Sequence, residues 1–190
     1  SQLSEKTDCL IKITLFRNDT EICPRSFFEK YSRYFPEEYS RCVRTIAIEQ
    51  NNSDTCEKIR MGLCEDCYDE KKSYAKEYSY CRNCFYDYAS CIKEIAMKQN
   101  NPELCNEINT TDERDSCIEE FAIKQNNPEL CNKVDTSDLR DLCFKRLAIE
   151  QNNSELCNEI TMSYNKITMS YVRDQCFEEI AKTQNNLELC

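Results

Sequence analysis

The sequence predicts an all-α fold: a disulfide-stapled array of short helical hairpins, α-solenoid-like, with about seven repeats. The first supporting observation is the cysteine content, because 16 of 190 residues is an even count and a frequency typical of secreted disulfide scaffolds. The second is repetition, because CIKEIAMKQNNPELC and CIEEFAIKQNNPELC are nearly the same sequence, each framed by cysteines fourteen residues apart.

Seven cysteine pairs with this separation divide residues 1–190 into a single predicted array. The predicted units are 9–23, 42–56, 64–84, 91–105, 117–131, 143–157 and 176–190. The unit 64–84 is degenerate and rich in tyrosine, and its core CYDEKKSYAKEYSYC keeps only the cysteine frame. The linkers vary in length while the unit does not, as expected for an array whose members pack on their neighbours.

Each unit is predicted to form a long helix followed by a short one. In the unit 117–131, Cys117 and Phe121 lie on one stripe at helical spacing, and acidic residues precede them in the first turn. Thr110 or Thr111 stands where the N-cap of this long helix is expected.

An asparagine pair is predicted to separate the two helices. Asn126 is expected to end the long helix in the left-handed conformation, and Asn127 to cap a short helix that begins at Pro128. Asp135 or Ser137 is the expected cap of the next long helix. An asparagine occupies the position of Asn126 in six units: Asn18, Asn51, Asn100, Asn126, Asn152 and Asn185.

The last linker contains an internal echo, TMSYNKI followed by TMSY. The echo adds seven residues, which correspond to two helical turns, so the apolar stripe returns in register. A tandem duplication tolerated in a surface helix is the favoured interpretation.

All sixteen cysteines are predicted to form disulfides. They are Cys9, Cys23, Cys42, Cys56, Cys64, Cys67, Cys81, Cys84, Cys91, Cys105, Cys117, Cys131, Cys143, Cys157, Cys176 and Cys190. The constant fourteen-residue separation favours bridges within each unit over bridges between neighbouring units. On a hairpin closed by Cys67–Cys81, Cys64 and Cys84 lie three residues further along each arm and would form a second bridge next to the first.

The motifs CEDC and CRNC, at 64–67 and 81–84, also match the ligand count and spacing of a four-thiolate zinc site. Because the inner cysteines obey the repeating frame, nested disulfides are favoured over zinc and over thiol redox catalysis. No metal or cofactor is therefore predicted.

The composition removes most enzyme chemistry. The chain has no histidine and one glycine, Gly62, which excludes histidine-based catalysis and phosphate-cradling loops. Carboxylate pairs such as Glu119-Glu120 and Glu178-Glu179 are expected on solvated helix faces. The net charge of −10 argues against nucleic acid as a partner, and no apolar run is long enough to span a membrane.

Tyrosines concentrate around the degenerate unit. The candidate binding residues are Tyr68, Tyr74, Tyr78 and Tyr80. Tyrosine is enriched in contact surfaces because it offers a large area and loses little entropy on binding. The alternative is that Tyr74, Tyr78 and Tyr88 are half-buried packing residues.

Acceptor sequons for N-linked glycans occur at Asn18, Asn51, Asn109 and Asn152. Three of them occupy the same repeat position, the turn between the two helices. N-linked glycans along one edge of the array are therefore expected.

The elements RDSC, RDLC and RDQC, each followed by an apolar-Ala pair and then Leu-Cys, resemble cysteine-framed helical repeats of predicted secreted proteins of thermophilic archaea. The resemblance is clear over 91–190 and weak over 1–90. It implies an extracellular, disulfide-stapled helical array and transfers no catalytic residue. In architecture the chain is also similar to Sel1-like and tetratricopeptide solenoids, whose role is protein binding, although their signature residues are absent.

The expected function is a non-enzymatic extracellular scaffold, at the cell surface or in a filament, that associates head to tail with itself or binds another cell-surface protein. The first alternative is a monomeric secreted module that binds a protein or a glycan through its tyrosine-rich hairpin. The second is a four-cysteine zinc or thiol-redox protein.

Overall fold

A computed structural model describes Asp8, Ile11, Lys12, Cys23 and the ranges 35–63, 75–161 and 166–184. Within these ranges the regular structure is helical and contains no β-strand, which confirms the predicted all-α class. The chain divides into two compact bodies, Ser1–Thr110 and Thr111–Cys190. In the described ranges, no helix has the length and apolarity that a membrane span requires.

The N-terminal body contains three described α-helices and two 3₁₀ helices. They are α1 (Phe35–Gln50), a 3₁₀ helix (Ser53–Cys56), α2 (Glu57–Leu63), α3 (Ala75–Gln99) and a 3₁₀ helix (Pro102–Glu107). Helix α1 packs against α3, and α2 packs against both. Helix α3 is continuous through Cys81, Cys84 and Cys91, so the second arm of the unit 64–84 and the long helix of the unit 91–105 are one helix.

The C-terminal body repeats a long helix and a short one. Its elements are α4 (Thr111–Lys124), α5 (Pro128–Cys131), α6 (Ser137–Gln151), a 3₁₀ helix (Ser154–Glu159) and α7 (Lys166–Gln184). Helix α6 packs against α4 on one side and α7 on the other. Helix α7 is 19 residues long against 14 for α4, and its first turns contain the second copy of the TMSY echo. The first copy lies mostly outside the described residues, so the two-turn interpretation stays a prediction.

The turn between the helices forms as the asparagine pair predicts. Asn126 adopts φ 55°, in the left-handed region. Its N–H donates to the Ile123 carbonyl at 3.0 Å, and the Asn127 N–H donates to the Ala122 carbonyl at 2.9 Å, which is the Schellman pattern that closes helix C-termini. The same conformation and bonds recur at Asn51, Asn100 and Asn152.

The second asparagine caps the short helix, which is also confirmed. The side chain of Asn127 accepts a hydrogen bond from the Glu129 N–H at 3.0 Å, and Pro128 occupies the first turn. Asn52, Asn101 and Asn153 act in the same way. Three of these four short elements are 3₁₀ helices, because a single turn needs only the tighter i→i+3 bonds.

In the five units whose long helices the structure describes, the core contains the first cysteine and the residues four and five positions after it. In α4 these are Cys117, Phe121 and Ala122, all fully buried. The equivalent buried sets elsewhere are Cys42, Ile46 and Ala47; Cys91, Ile95 and Ala96; Cys143, Leu147 and Ala148; and Cys176, Ile180 and Ala181. The small alanine next to the Schellman turn lets the neighbouring helix approach closely.

Candidate functional site at the junctions between units

The disulfides join neighbouring units. Cys131, the second cysteine of one unit, bonds to Cys143, the first cysteine of the next, with a Cα–Cα distance of 5.7 Å. The same register holds for Cys23–Cys42, Cys56–Cys91 and Cys157–Cys176, with Cα–Cα distances of 6.2, 5.9 and 5.8 Å. The prediction of bridges within units is therefore wrong for these cysteines, as for Cys117–Cys131, whereas the pairing Cys67–Cys81 lies outside the described side chains.

The reason is the unequal length of the two helices. Helix α4 continues for seven residues beyond Cys117, or about 10 Å, before it turns. Helix α5 contains four residues and returns only about 6 Å. Cys131 therefore does not reach the level of Cys117 and meets the next long helix instead. The constant separation of fourteen reflects a helix–turn–helix of constant length.

Oxidised cysteines extend to the CxxC region. Cys84 is disulfide-bonded, as are Cys105 and Cys117. Among the residues that the structure describes, no group of histidine, cysteine or carboxylate side chains could hold a metal ion. A bonded Cys84 cannot supply a zinc thiolate. The nested pairing of the four cysteines stays a prediction. The side chains of Cys9, Cys64, Cys67, Cys81 and Cys190 lie outside the described residues.

Buried aspartates form a second link between units. Asp115, two residues before Cys117, is fully buried, and its carboxylate accepts hydrogen bonds from the backbone N–H groups of Asp135 (3.1 Å) and Thr136 (2.8 Å). The side chain of Arg114 forms an ion pair with Asp135. The Arg-Asp motif of one unit therefore binds the segment that leads into the long helix of the next.

This contact corrects the predicted cap of α6. Neither Asp135 nor Ser137 is the N-cap: the N-cap is Thr136, and its side chain makes no capping hydrogen bond. The carboxylate of Asp115, supplied by the preceding unit, orders this backbone instead. The motifs RDSC, RDLC and RDQC predict a resemblance but not this contact. The signal for it in the sequence is an aspartate at a fixed distance from the buried cysteine.

The next junction has the same contact in a weaker form. Asp141 accepts hydrogen bonds from the N–H of Thr161 (3.1 Å) and from its hydroxyl (3.4 Å), and Arg140 donates to that hydroxyl oxygen at 2.6 Å. Among the residues that the structure describes, the buried Oδ2 atom of Asp141 has no hydrogen-bond partner. Burial raises the pKa of Asp141, and the bonds from Thr161 and the charge of Arg140 offset this only in part.

The glutamine of the QNN sequence forms a third link at two junctions. The side-chain amide of Gln99 donates to the backbone carbonyl of Asn51 at 3.0 Å, and that of Gln184 donates to the backbone carbonyl of Asn152 at 3.0 Å. In the unit 91–105 all three letters have a role, because Gln99 binds the preceding turn, Asn100 forms its own turn and Asn101 caps the short helix. The side-chain nitrogen of Gln151 makes no such link: it is buried and has no hydrogen-bond partner in the described part of the chain.

Ion pairs form a fourth link. Counted from the first cysteine of each unit, the second residue after it in one unit pairs with the third residue after it in the neighbouring unit. Glu119 pairs with Arg146 at 2.9 Å, and Lys145 pairs with Glu179 at 2.9 Å. Arg44 and Glu94 make the equivalent pair in the N-terminal body. Glu119 and Glu179 therefore connect helices, whereas Glu178 is exposed and pairs with Lys182 in its own helix.

The units 42–56 and 91–105 are direct neighbours although the unit 64–84 separates them in sequence. The bridge Cys56–Cys91, the Gln99–Asn51 hydrogen bond and the Arg44–Glu94 pair reproduce the links of the last junction in the C-terminal body. The segment 57–90 is therefore inserted within a junction, inside the loop that Cys56–Cys91 closes.

The structure describes only some of the tyrosines around the unit 64–84. Tyr68 and Tyr74 lie outside the described residues, and Tyr78 and Tyr80 belong to α3 without described side chains. Tyr88 is buried, and its hydroxyl donates to Glu57 at 2.8 Å and to the backbone carbonyl of Glu107 at 3.2 Å.

Burial, aided by the Glu57 carboxylate, raises the pKa of Tyr88. The packing interpretation is confirmed for this tyrosine. Tyr86, two residues earlier in α3, is 61% exposed.

The sequons lie at the surface wherever they are described. Asn51 and Asn152 are exposed at equivalent turns, and Asn109 is exposed in the linker before α4. Asn18 lies outside the described residues.

No family model, no curated protein and no solved structure matches this chain.

Proposed function

We propose that this protein is a non-enzymatic extracellular structural scaffold, a component of a cell surface or of a filament. One observation carries the proposal: the described disulfides join one unit to another and are buried, as at Cys131–Cys143 and Cys157–Cys176. A bridge within a unit would stabilise only that unit. A bridge between units makes the junction itself covalent, so that units cannot separate under load without bond cleavage.

The location follows from the same bonds. Disulfides persist in oxidising compartments and are rare in most cytosolic proteins, which supports an extracellular site. The cysteines occupy core positions in every described unit, so the reduced chain would lack much of the stabilisation that a large apolar core gives other proteins.

The proposed partner is another copy of the chain or another cell-surface protein. The links at each junction are local and repeated, so they need no ligand to form. The net charge of −10 keeps single molecules soluble until a specific contact forms.

The test is the intact mass of the protein purified without reductant, measured under denaturing conditions before and after reduction, with alkylation to count free thiols. We expect a fully oxidised species that gains about 16 Da per chain on reduction, one hydrogen for each of 16 cysteines. Peptide mapping should show Cys131 linked to Cys143.

Each result decides a different part of the proposal. Covalent multimers that become monomers on reduction would establish the filament form. If the oxidised protein is a monomer under denaturing conditions, sedimentation under native conditions tests non-covalent self-association. Free or metal-bound thiols at Cys64, Cys67, Cys81 and Cys84 would contradict the scaffold and support the zinc or redox alternative.

A further inference from the structure

Four equivalent turns in the structure differ at one residue. The turns at Asn51 and Asn152 read Asn-Asn-Ser, whereas those at Asn100 and Asn126 read Asn-Asn-Pro. All four asparagines have φ between 52° and 55° and are exposed. Only the Asn-Asn-Ser turns satisfy the acceptor rule for N-linked glycans.

We propose that Asn51 and Asn152 are N-glycan acceptor sites and that their glycans lie along one edge of each body. The inference rests on the proposed export of the chain. In the reaction, the side-chain amide nitrogen attacks C1 of a lipid-linked oligosaccharide. A nitrogen–carbon bond forms, the bond from C1 to the lipid pyrophosphate breaks, and the amide loses one proton to the transferase.

The turn keeps its structure without using this side-chain amide. At Asn152 the backbone N–H donates to Ile149 at 3.1 Å, and the backbone carbonyl accepts from Gln184 at 3.0 Å. The capping bond comes from the neighbouring Asn153, which accepts from Glu155 at 3.0 Å. A glycan on the exposed Asn152 side chain therefore costs none of these bonds.

Backbone conformation does not explain why serine replaces proline. The residue before the variable position has φ −114° and ψ 100° at Asn153, against −117° and 101° at Asn127, which precedes Pro128. Asn52 has φ −127° and ψ 108°, which also suits a following proline. Proline at this first helical position is the more stabilising choice. The Ser53 hydroxyl also hydrogen-bonds the Glu107 side chain, so the argument from an acceptor sequon, which needs a hydroxyl here, is carried by Ser154.

The position of the turns sets where the glycans lie. Because Gln99 reaches the carbonyl of Asn51, the turn of one unit lies beside the end of the next long helix. The Gln184–Asn152 bond repeats this arrangement in the C-terminal body. The glycans would cover the turn edge and leave the remaining faces for protein contacts.

The experiment expresses the full chain behind a cleavable secretion signal in eukaryotic cells that N-glycosylate exported proteins. Peptide N-glycosidase treatment in heavy-oxygen water then marks each formerly glycosylated asparagine, and peptide mass spectrometry gives its occupancy. Ser154→Pro removes one sequon and copies the natural sequence of the turn at Asn126. Pro128→Ser is the reciprocal variant, because it creates a sequon at Asn126 with the backbone unchanged.

We expect Asn51 and Asn152 to be occupied in most wild-type molecules. Ser154→Pro should abolish occupancy at Asn152 alone, and Pro128→Ser should add occupancy at Asn126. An unmodified Asn51 or Asn152 in secreted wild-type protein, modification that survives Ser154→Pro, or no gain at Asn126 would each overturn the proposal. The scaffold is scored separately, from the bridges, so failure of one inference is distinguishable from failure of the other.

Discussion

At the scale of single residues, the aspartates of the Arg-Asp motifs are buried at both junctions but differ in how many of their carboxylate oxygens accept hydrogen bonds. Both oxygens of Asp115 accept backbone N–H groups, whereas Oδ2 of Asp141 has no hydrogen-bond partner in the described ranges. The two residues are almost equally buried, at 0% and 2% exposure. The two aspartates therefore differ in their hydrogen bonds and not in their burial.

Substitution by asparagine should separate the two sites. In Asp115→Asn an amide NH₂ replaces one acceptor and faces a backbone N–H, so we expect a loss of about 1–3 kcal/mol in the free energy of unfolding. Asp141→Asn keeps the oxygen that binds Thr161 and replaces only the unpartnered one. Urea unfolding at pH 7 gives both values, and equal losses would contradict the assignment.

The Asp141 site should also make stability depend on pH. The folded-state pKa of Asp141 is raised, so the folded protein holds this proton more tightly than the unfolded chain does. The ionised Asp141 carboxylate lowers the free energy of unfolding. This loss is absent below the unfolded pKa of about 3.9 and develops as the pH rises through the folded pKa. Asp141→Asn should therefore gain stability relative to wild type between pH 3 and pH 7. A pH-independent difference in urea midpoints would argue against this.

The left-handed asparagines give a third residue-level prediction. Asn126→Ala should lower the free energy of unfolding by about 1–2 kcal/mol, because alanine is sterically strained at φ 55°. Asn126→Gly is the matched control and should change stability little, because glycine adopts this region without strain. Thermal unfolding of the two variants tests the assignment, and an alanine variant as stable as the glycine variant would refute it.

At the scale of helices, the junction combines a covalent link with weaker polar ones. The bridge supplies most of the stabilisation, while the Arg-Asp contact, the glutamine bond and the ion pair fix how the second helix packs on the first. The sign of the ion pair is not conserved between junctions, since Glu119–Arg146 and Lys145–Glu179 have opposite polarity. The position of the pair therefore matters, and either order of charges fits.

Removing one bridge should weaken one junction. Cys131→Ser with Cys143→Ser opens a bridge of sequence separation 12, for which the chain-entropy model gives about 3 kcal/mol. Guanidinium unfolding of the oxidised double variant measures the loss. Peptide mapping of the variant should show the Cys157–Cys176 bridge intact, and rearranged bridges there would mean that the junctions are not independent.

Charge reversal tests the ion pair. Glu119→Arg and Arg146→Glu should each destabilise the protein, and the double variant should recover most of the loss because it restores the pair in the opposite polarity. A coupling energy of about 0.2–1 kcal/mol is expected for a partly exposed pair. The double-mutant cycle measures it, and additive losses would show that the two charges do not interact.

At the scale of the whole molecule, oxidation should decide whether the chain folds. Several bridges of about 3 kcal/mol each are comparable to the roughly 5–15 kcal/mol of net stability in a typical domain. Reduction at neutral pH should therefore abolish most of the helical circular dichroism at 222 nm, since short helices are marginal without tertiary support. Reoxidation should restore the signal. Retention of the full signal by the reduced and alkylated protein would contradict a scaffold that depends on disulfides.

The sequence by itself determined the helical class, the ends of the long helices at the left-handed asparagines, and the caps of the short helices, because these depend on side chains within a few positions of one another. The starts of the long helices were not determined in this way, since Thr136 precedes α6 and α3 begins far before Cys91. Only the tertiary structure decided which cysteines pair and that the units 42–56 and 91–105 are neighbours. It also decided that Asp115 binds the backbone of the segment that leads into the next unit. Each depends on where a helix ends relative to its neighbour. The constant separation of fourteen residues between two cysteines corresponds to the length of one helix–turn–helix. Because the second helix is short, its cysteine lies next to the following long helix and bonds there.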